Sequence, residues 1–112
     1  MSADQAERLR RLALHDDHLI RSMLAIDPGH VRASGLEPKS CALVRLGALV
    51  ALDAPCVSYL WAVQWALAAG ATTDEIVGVL MAVAPVTGVA RVVAAAREVA
   101  LALGYDDPER SP

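Results

Sequence analysis

Charge is scarce over most of this 112-residue chain. Residues 1–40 hold 12 of its 23 Asp, Glu, Lys and Arg, whereas residues 41–104 hold only seven: Arg45, Asp53, Asp74, Glu75, Arg91, Arg97 and Glu98. There is no basic cluster and the net charge is −3, which argues against nucleic acid as a partner. The opening "MSADQAERLRRLALHDD" is charged throughout and has no apolar h-region, so no secretory signal is expected. Cysteine is limited to Cys41 and Cys56, with no C-x-x-C and no Cys/His cluster at zinc spacing. Two cysteines without a secretory signal suggest a reducing cytoplasm. No metal and no cofactor is expected. Strand-like alternation is absent, and no internal repeat is convincing.

What is abundant is apolar surface. Apolar residues make up 55% of the chain, and the mean hydropathy is +0.40. At this length one domain is expected. A small domain leaves much of its surface outside, so either lipid or another subunit should cover part of these helices. Residues 54–73 carry no charge, which is long enough to raise the question of a membrane span. Pro55, Ser58, Gln64, Gly70 and two Thr interrupt that run. Its helix-compatible part, residues 55–69, would be roughly 22 Å long against a hydrocarbon thickness of ~30 Å. No membrane is therefore expected as a partner. A homo-oligomer is.

The chain reads as all-α, a compact domain of about six helices. Residues 1–35 would supply N-terminal helices and a loop, 36–104 the core, and 105–112 a polar, frayed tail. Ala6, Leu9 and Ala13 recur at helical spacing within residues 3–14. Asp16 or Asp17 can cap a short helix running to about Ile26. "DPGHVRASG" reads as loop. Pro38 suits the first turn of a helix that runs to about Leu52. Asp53 is expected to cap the next helix, which starts near Pro55 and is stopped by Gly70. Thr72 with Glu75 forms a capping-box pattern that opens a helix to about Ala84, where Pro85 should break or kink it. The last helix should run from about Thr87 to Leu103.

Cys41 and Cys56 each lie near the start of a helix. A short connection makes these helices antiparallel neighbours, which puts the two starts roughly 15 Å apart. That is beyond disulfide reach, and two buried thiols are the default.

The segments "LEPKSCALVRLGALVAL" and "ALAAGATTDEIVGVLMAVAPVTGVARVVAAAREVALALG", within residues 36–104, resemble the carboxymuconolactone decarboxylase and alkylhydroperoxidase-D superfamily. The resemblance rests on a Leu-x-Pro-Lys-x-x-x-Leu helix, an Ala-Gly-Ala-Thr-x-x-Glu-Ile turn and an Ala-rich closing helix. It implies an alkylhydroperoxidase-like helical fold assembled into homotrimers or homohexamers. Peroxide-reducing members carry Cys-x-x-Cys-x-x-x-His on the helix before the turn. Counted back from Gly70, the cysteines would fall at Pro55 and Ser58 and the histidine at Ala62. Decarboxylase-type members keep the histidine alone. This sequence has neither, and Cys56 is off register by one residue, about 100° around the helix. The resemblance thus implies the fold, and leaves both lactone decarboxylase and peroxidase activity without their motif residues.

Ser58, Trp61, Ala62 and Trp65 follow the i, i+3, i+4, i+7 pattern and share one side of that helix. The plainer reading is that both Trp are packing residues. The functional one is an aromatic pocket for an apolar or aromatic small molecule, with Ala62 leaving room for the imidazole the family carries. Arg45 has only Ala42, Ala48, Leu49 and Leu52 as helical neighbours. It is read first as an ion-pair partner of Glu98 or Asp53, and otherwise as an anion anchor facing the pocket. Cys56 could act as a lone, peroxiredoxin-like thiol if a helix N-terminus lowered its pKa, and Ser58 is the remaining hydroxyl. His15 and His18 in "LHDDHL" read as a solvated junction, and His30 as a loop residue. The sequence permits one of the three to replace the lost proton carrier from another helix or subunit. Three functions stay open: a divergent member with a small-molecule pocket and no thiol-redox pair, a one-cysteine peroxidase, and a non-catalytic assembly or binding subunit.

Overall fold

The computed structural model describes residues 1–24, 31–32 and 34–105. Six helices are delimited there, with no strand among the described residues: α1 (Ala3–Ala13), α2 (Asp17–Leu24), α3 (Pro38–Leu52), α4 (Cys56–Ala68), α5 (Thr73–Thr87) and α6 (Val89–Ala102). Ile26, His30 and the tail from residue 106 lie outside the described residues. No helix among the described residues is long and apolar enough to cross a membrane. The chain divides into two compact units, Met1–Leu36 and Glu37–Pro112.

The first unit holds α1 and α2. Ser2 and Gln5 form a reciprocal capping box at the start of α1. Glu7 pairs with Arg10 at 2.8 Å and with Arg11 at 3.2 Å. The Arg10 guanidinium holds the Glu7 carboxyl down at about 2. His15, at φ 58°, ends the helix, as its N–H and that of Asp16 turn back to the carbonyls of Leu12 and Arg11. Asp16 then caps α2 by accepting from the Leu19 N–H at 3.0 Å, which settles the choice between the two aspartates.

The second unit is built from the four apolar helices. α3 packs on α4, α5 and α6, and α6 also packs on α4 and α5. Leu46 and Val50 of α3, Val63 of α4, Ile76 of α5 and Val99 of α6 are its largest fully buried side chains. Small residues let the helices approach. A Cβ on Gly47 would stand 3.2 Å from Val83 Cγ1 and 3.5 Å from Val79 Cγ1, so the backbone of α3 lies against the side chains of α5 at this point. Tyr59, buried near the start of α4, donates its hydroxyl to the Leu49 carbonyl near the end of α3. The chain therefore doubles back after α3. Burial pushes the Tyr59 phenol up from its ordinary value, and the carboxylates of Asp53 and Glu98 add to the shift.

The junctions differ from expectation in two places. Asp53 does not cap α4; it closes α3 in the left-handed conformation, at φ 53° and ψ 53°. Its N–H and that of Ala54 return to the carbonyls of Val50 and Leu49. The side chain that would reach forward belongs to a residue whose backbone is already committed backward, a conformation that Asp tolerates. α4 begins instead after Pro55, with no side-chain cap. Pro85 does not break α5, which runs on to Thr87 and ends at Gly88, φ 92°. Proline lacks only its own amide, and near the end of a helix few later bonds are disturbed.

Other signals are realised as read. Pro38 opens α3 within its first turn. Gly70, at φ 95°, terminates α4: its N–H bonds the Leu67 carbonyl and that of Ala71 bonds Ala66. Thr72 and Glu75 form the reciprocal capping box, each bond 3.0 Å long. Glu75 also holds Lys39 of α3 at 3.0 Å, tying the starts of α3 and α5 together. Accepting from the Thr72 N–H, and then from Lys39, keeps the Glu75 carboxyl below its usual range.

A folded-state pKa below the unfolded one stabilises above the unfolded value and is lost as pH falls through the folded one. Thr72→Ala should therefore lower stability by about 1 kcal/mol, read as a reduced midpoint in urea. Glu75→Gln should flatten the acid side of the stability profile relative to the native chain.

Candidate functional site

The helix on which the site residues fall, α4, is oriented by what it buries. Tyr59, Ala62, Val63 and Ala66 form its core-facing side. At 100° per residue, Trp61 points about 150° away from the centre of that side and Trp65 about 110° away. Trp61 is accordingly 75% exposed, whereas Trp65 is half-buried and packs against the core from its edge. Ser58 is half-buried as well. The four residues that share a stripe by spacing thus run from the core to solvent. Ala62 is at the inner edge, Ser58 and Trp65 at the boundary, and Trp61 outside.

Arg45 comes from α3 and meets this stripe. Its guanidinium carbon lies 4.4 Å above the centroid of the Trp65 ring. The expected ion pair with Glu98 or Asp53 is not formed. The half-buried guanidinium makes no salt bridge or hydrogen bond among the described residues, and the indole face is its partner. Such a stack contributes about 0.5–1 kcal/mol at an exposed site and more where water is excluded. A guanidinium carries five N–H donors, and none is taken by an acceptor among the described residues. Spacing could not reveal this pair. It depends on the register of α3 against α4, which the Tyr59–Leu49 hydrogen bond and the core residues set.

Both cysteines are free, Cys41 buried and Cys56 exposed. The expectation of two buried thiols fails for Cys56 because it is the first residue of α4, where the chain emerges from the Asp53–Pro55 turn at the surface. Ala62 is 8% exposed and lies within the core cluster with Tyr59, Val63 and Ala66. His15 Nδ1 lies 4.0 Å from Asp17 in the first unit. Among the described residues no group of three or more His, Cys, Asp and Glu could hold a metal ion.

Residues 18–102 match the model of the carboxymuconolactone decarboxylase family. The chain belongs to that family. No curated protein and no solved structure matches it.

The position of Ala62 carries a test. Ala62→His should destabilise the fold by about 1–3 kcal/mol through overpacking, with a lower melting temperature. An unchanged melting temperature would mean that the helix has space for the ring on its inner side.

Proposed function

We propose that this protein is a homo-oligomeric, small-molecule-binding member of its family that works without a thiol pair, with its ligand face on the outer side of α4. The observation that carries this reading is Trp61, a large aromatic left 75% exposed one turn from the Trp65–Arg45 stack. An indole in water loses the burial that makes aromatics stabilising, so its place in the solvent-facing stripe is explained by something that covers it. Ser58 adds one hydroxyl to the same stripe. Two free cysteines, one buried near the start of α3 and one exposed at the start of α4, are consistent with a chemistry that does not use a disulfide.

Assembly into a homotrimer or homohexamer is supported by other helices. Met81 of α5 is 73% exposed and Val89 of α6 is 71% exposed, with Val77 and Val93 also open on the same two helices. Identical subunits would cover this surface.

Two measurements test the proposal together. Sedimentation at micromolar concentration should give a trimer or hexamer, and a species near 11.8 kDa would overturn the assembly. The neutral aromatic 2-naphthol should quench tryptophan emission saturably, and Trp61→Ala should remove most of that response. Quenching that survives in Trp61→Ala would move the ligand off this face.

The exposure of Cys56 favours a second reading, a peroxidase working through that thiol alone. Its thiolate would attack hydrogen peroxide, breaking the O–O bond to give a sulfenic acid and hydroxide; one external thiol would condense with the sulfenic acid to a mixed disulfide and water, and a second would release the Cys56 thiol and an external disulfide. Peroxide consumption that depends on added thiol and disappears in Cys56→Ser would establish it. Equal consumption by both proteins would eliminate it.

A further inference from the structure

The ligand face described above contains a cation whose use is not accounted for by the fold. Arg45 is one of only two cations on α3 and α4, the other being Lys39, and Lys39 is held by Glu75 at 3.0 Å. Arg45 has no such partner among the described residues. Its half-buried guanidinium, with its carbon 4.4 Å above the Trp65 ring centroid, meets no acceptor there. A partly desolvated guanidinium with free in-plane donors is a receptor for a planar acceptor that can take two parallel N–H bonds. The contact with Trp65 restrains the side chain before any ligand arrives, which lowers the ordering cost of binding.

From this we infer that the site is selective for aromatic monocarboxylates. Three features define that class. The in-plane fork of Arg45 suits a carboxylate, whose two oxygens match its donors. A single uncommitted positive charge on these two helices suits a monoanion rather than a dianion. The exposed Trp61, one turn along α4 from Trp65, offers a flat surface for an aromatic body to stack on. Ser58, half-buried seven residues before Trp65, places a hydroxyl on the same stripe. The inference rests on the proposed ligand face on α4 and adds the charge, shape and anchor of what binds there.

The test is calorimetric titration with three probes that share one ring system: 2-naphthoate, 2-naphthamide and 2-naphthyl phosphate. The native protein should bind 2-naphthoate about tenfold to a hundredfold more tightly than the neutral amide, the usual advantage of a charge-assisted pair. The phosphate, with more charge and no second cation to meet it, should bind no more tightly than the carboxylate. Arg45→Gln should abolish the advantage of 2-naphthoate over 2-naphthamide. Arg45→Lys keeps the charge but not the fork, and should lose most of the advantage; it decides the matter if Arg45→Gln does not fold. Equal affinity for 2-naphthoate and 2-naphthamide in the native protein would overturn the inference while leaving the ligand face intact. So would a carboxylate preference that persists in Arg45→Gln and Arg45→Lys, or a preference for the phosphate. Binding of none of the three probes would overturn both the inference and the ligand face on which it rests.

Discussion

The close approach of α3 to α5 at Gly47 is the constraint on which the apolar unit depends. A side chain there would press on Val79 and Val83, and without one the two valines pack against the backbone of α3. That contact leaves Leu46 and Val50 of α3 enclosed by residues of the neighbouring helices, and Ile76 and Val99 fully buried with them. In a unit whose helices bear so few charges, directional bonds contribute little to the choice of arrangement. Close packing of small and branched residues is what distinguishes one arrangement from another. Two polar contacts between these helices are placed at their ends. Lys39 joins Glu75 between the starts of α3 and α5, and Arg91 of α6 donates to the Ala51 carbonyl at the end of α3.

The site follows from the same packing. Tyr59, Val63 and Ala66 turn one side of α4 inward, and Tyr59 anchors that rotation through the Leu49 carbonyl. Once α4 is rotated in this way, Trp65 is carried to the edge where α3 presents Arg45, and Trp61 is carried outward. The Arg45–Trp65 stack is thus a consequence of core packing elsewhere on the two helices. Ala62, on the same helix as Trp65, is part of the core cluster.

Local signals made the helices legible. Pro38, Gly70 and the Thr72–Glu75 pair act within one turn of themselves, so their effect on the backbone can be deduced without knowing the neighbours. The family turn around Gly70 was legible for the same reason, and it identified the lineage that residues 18–102 match. Asp53 and Pro85 each have two local solutions. An aspartate between two helices can cap the next one or close the last, and a proline near a helix end can break it or be absorbed by the final turn. Spacing alone does not choose between them.

The sequence by itself determined that the chain is helical, where most of its helices begin and end, and to which family it belongs. It also placed Ser58, Trp61, Ala62 and Trp65 along one stripe of α4, since helical spacing is a local property. Tertiary structure decided which part of that stripe is inside. Only the rotation of α4 against α3 buries Ala62, exposes Trp61 and lays Arg45 on Trp65 rather than against Glu98 or Asp53. That rotation is set by side chains distant in the chain packing to a common density, a condition that no local pattern contains.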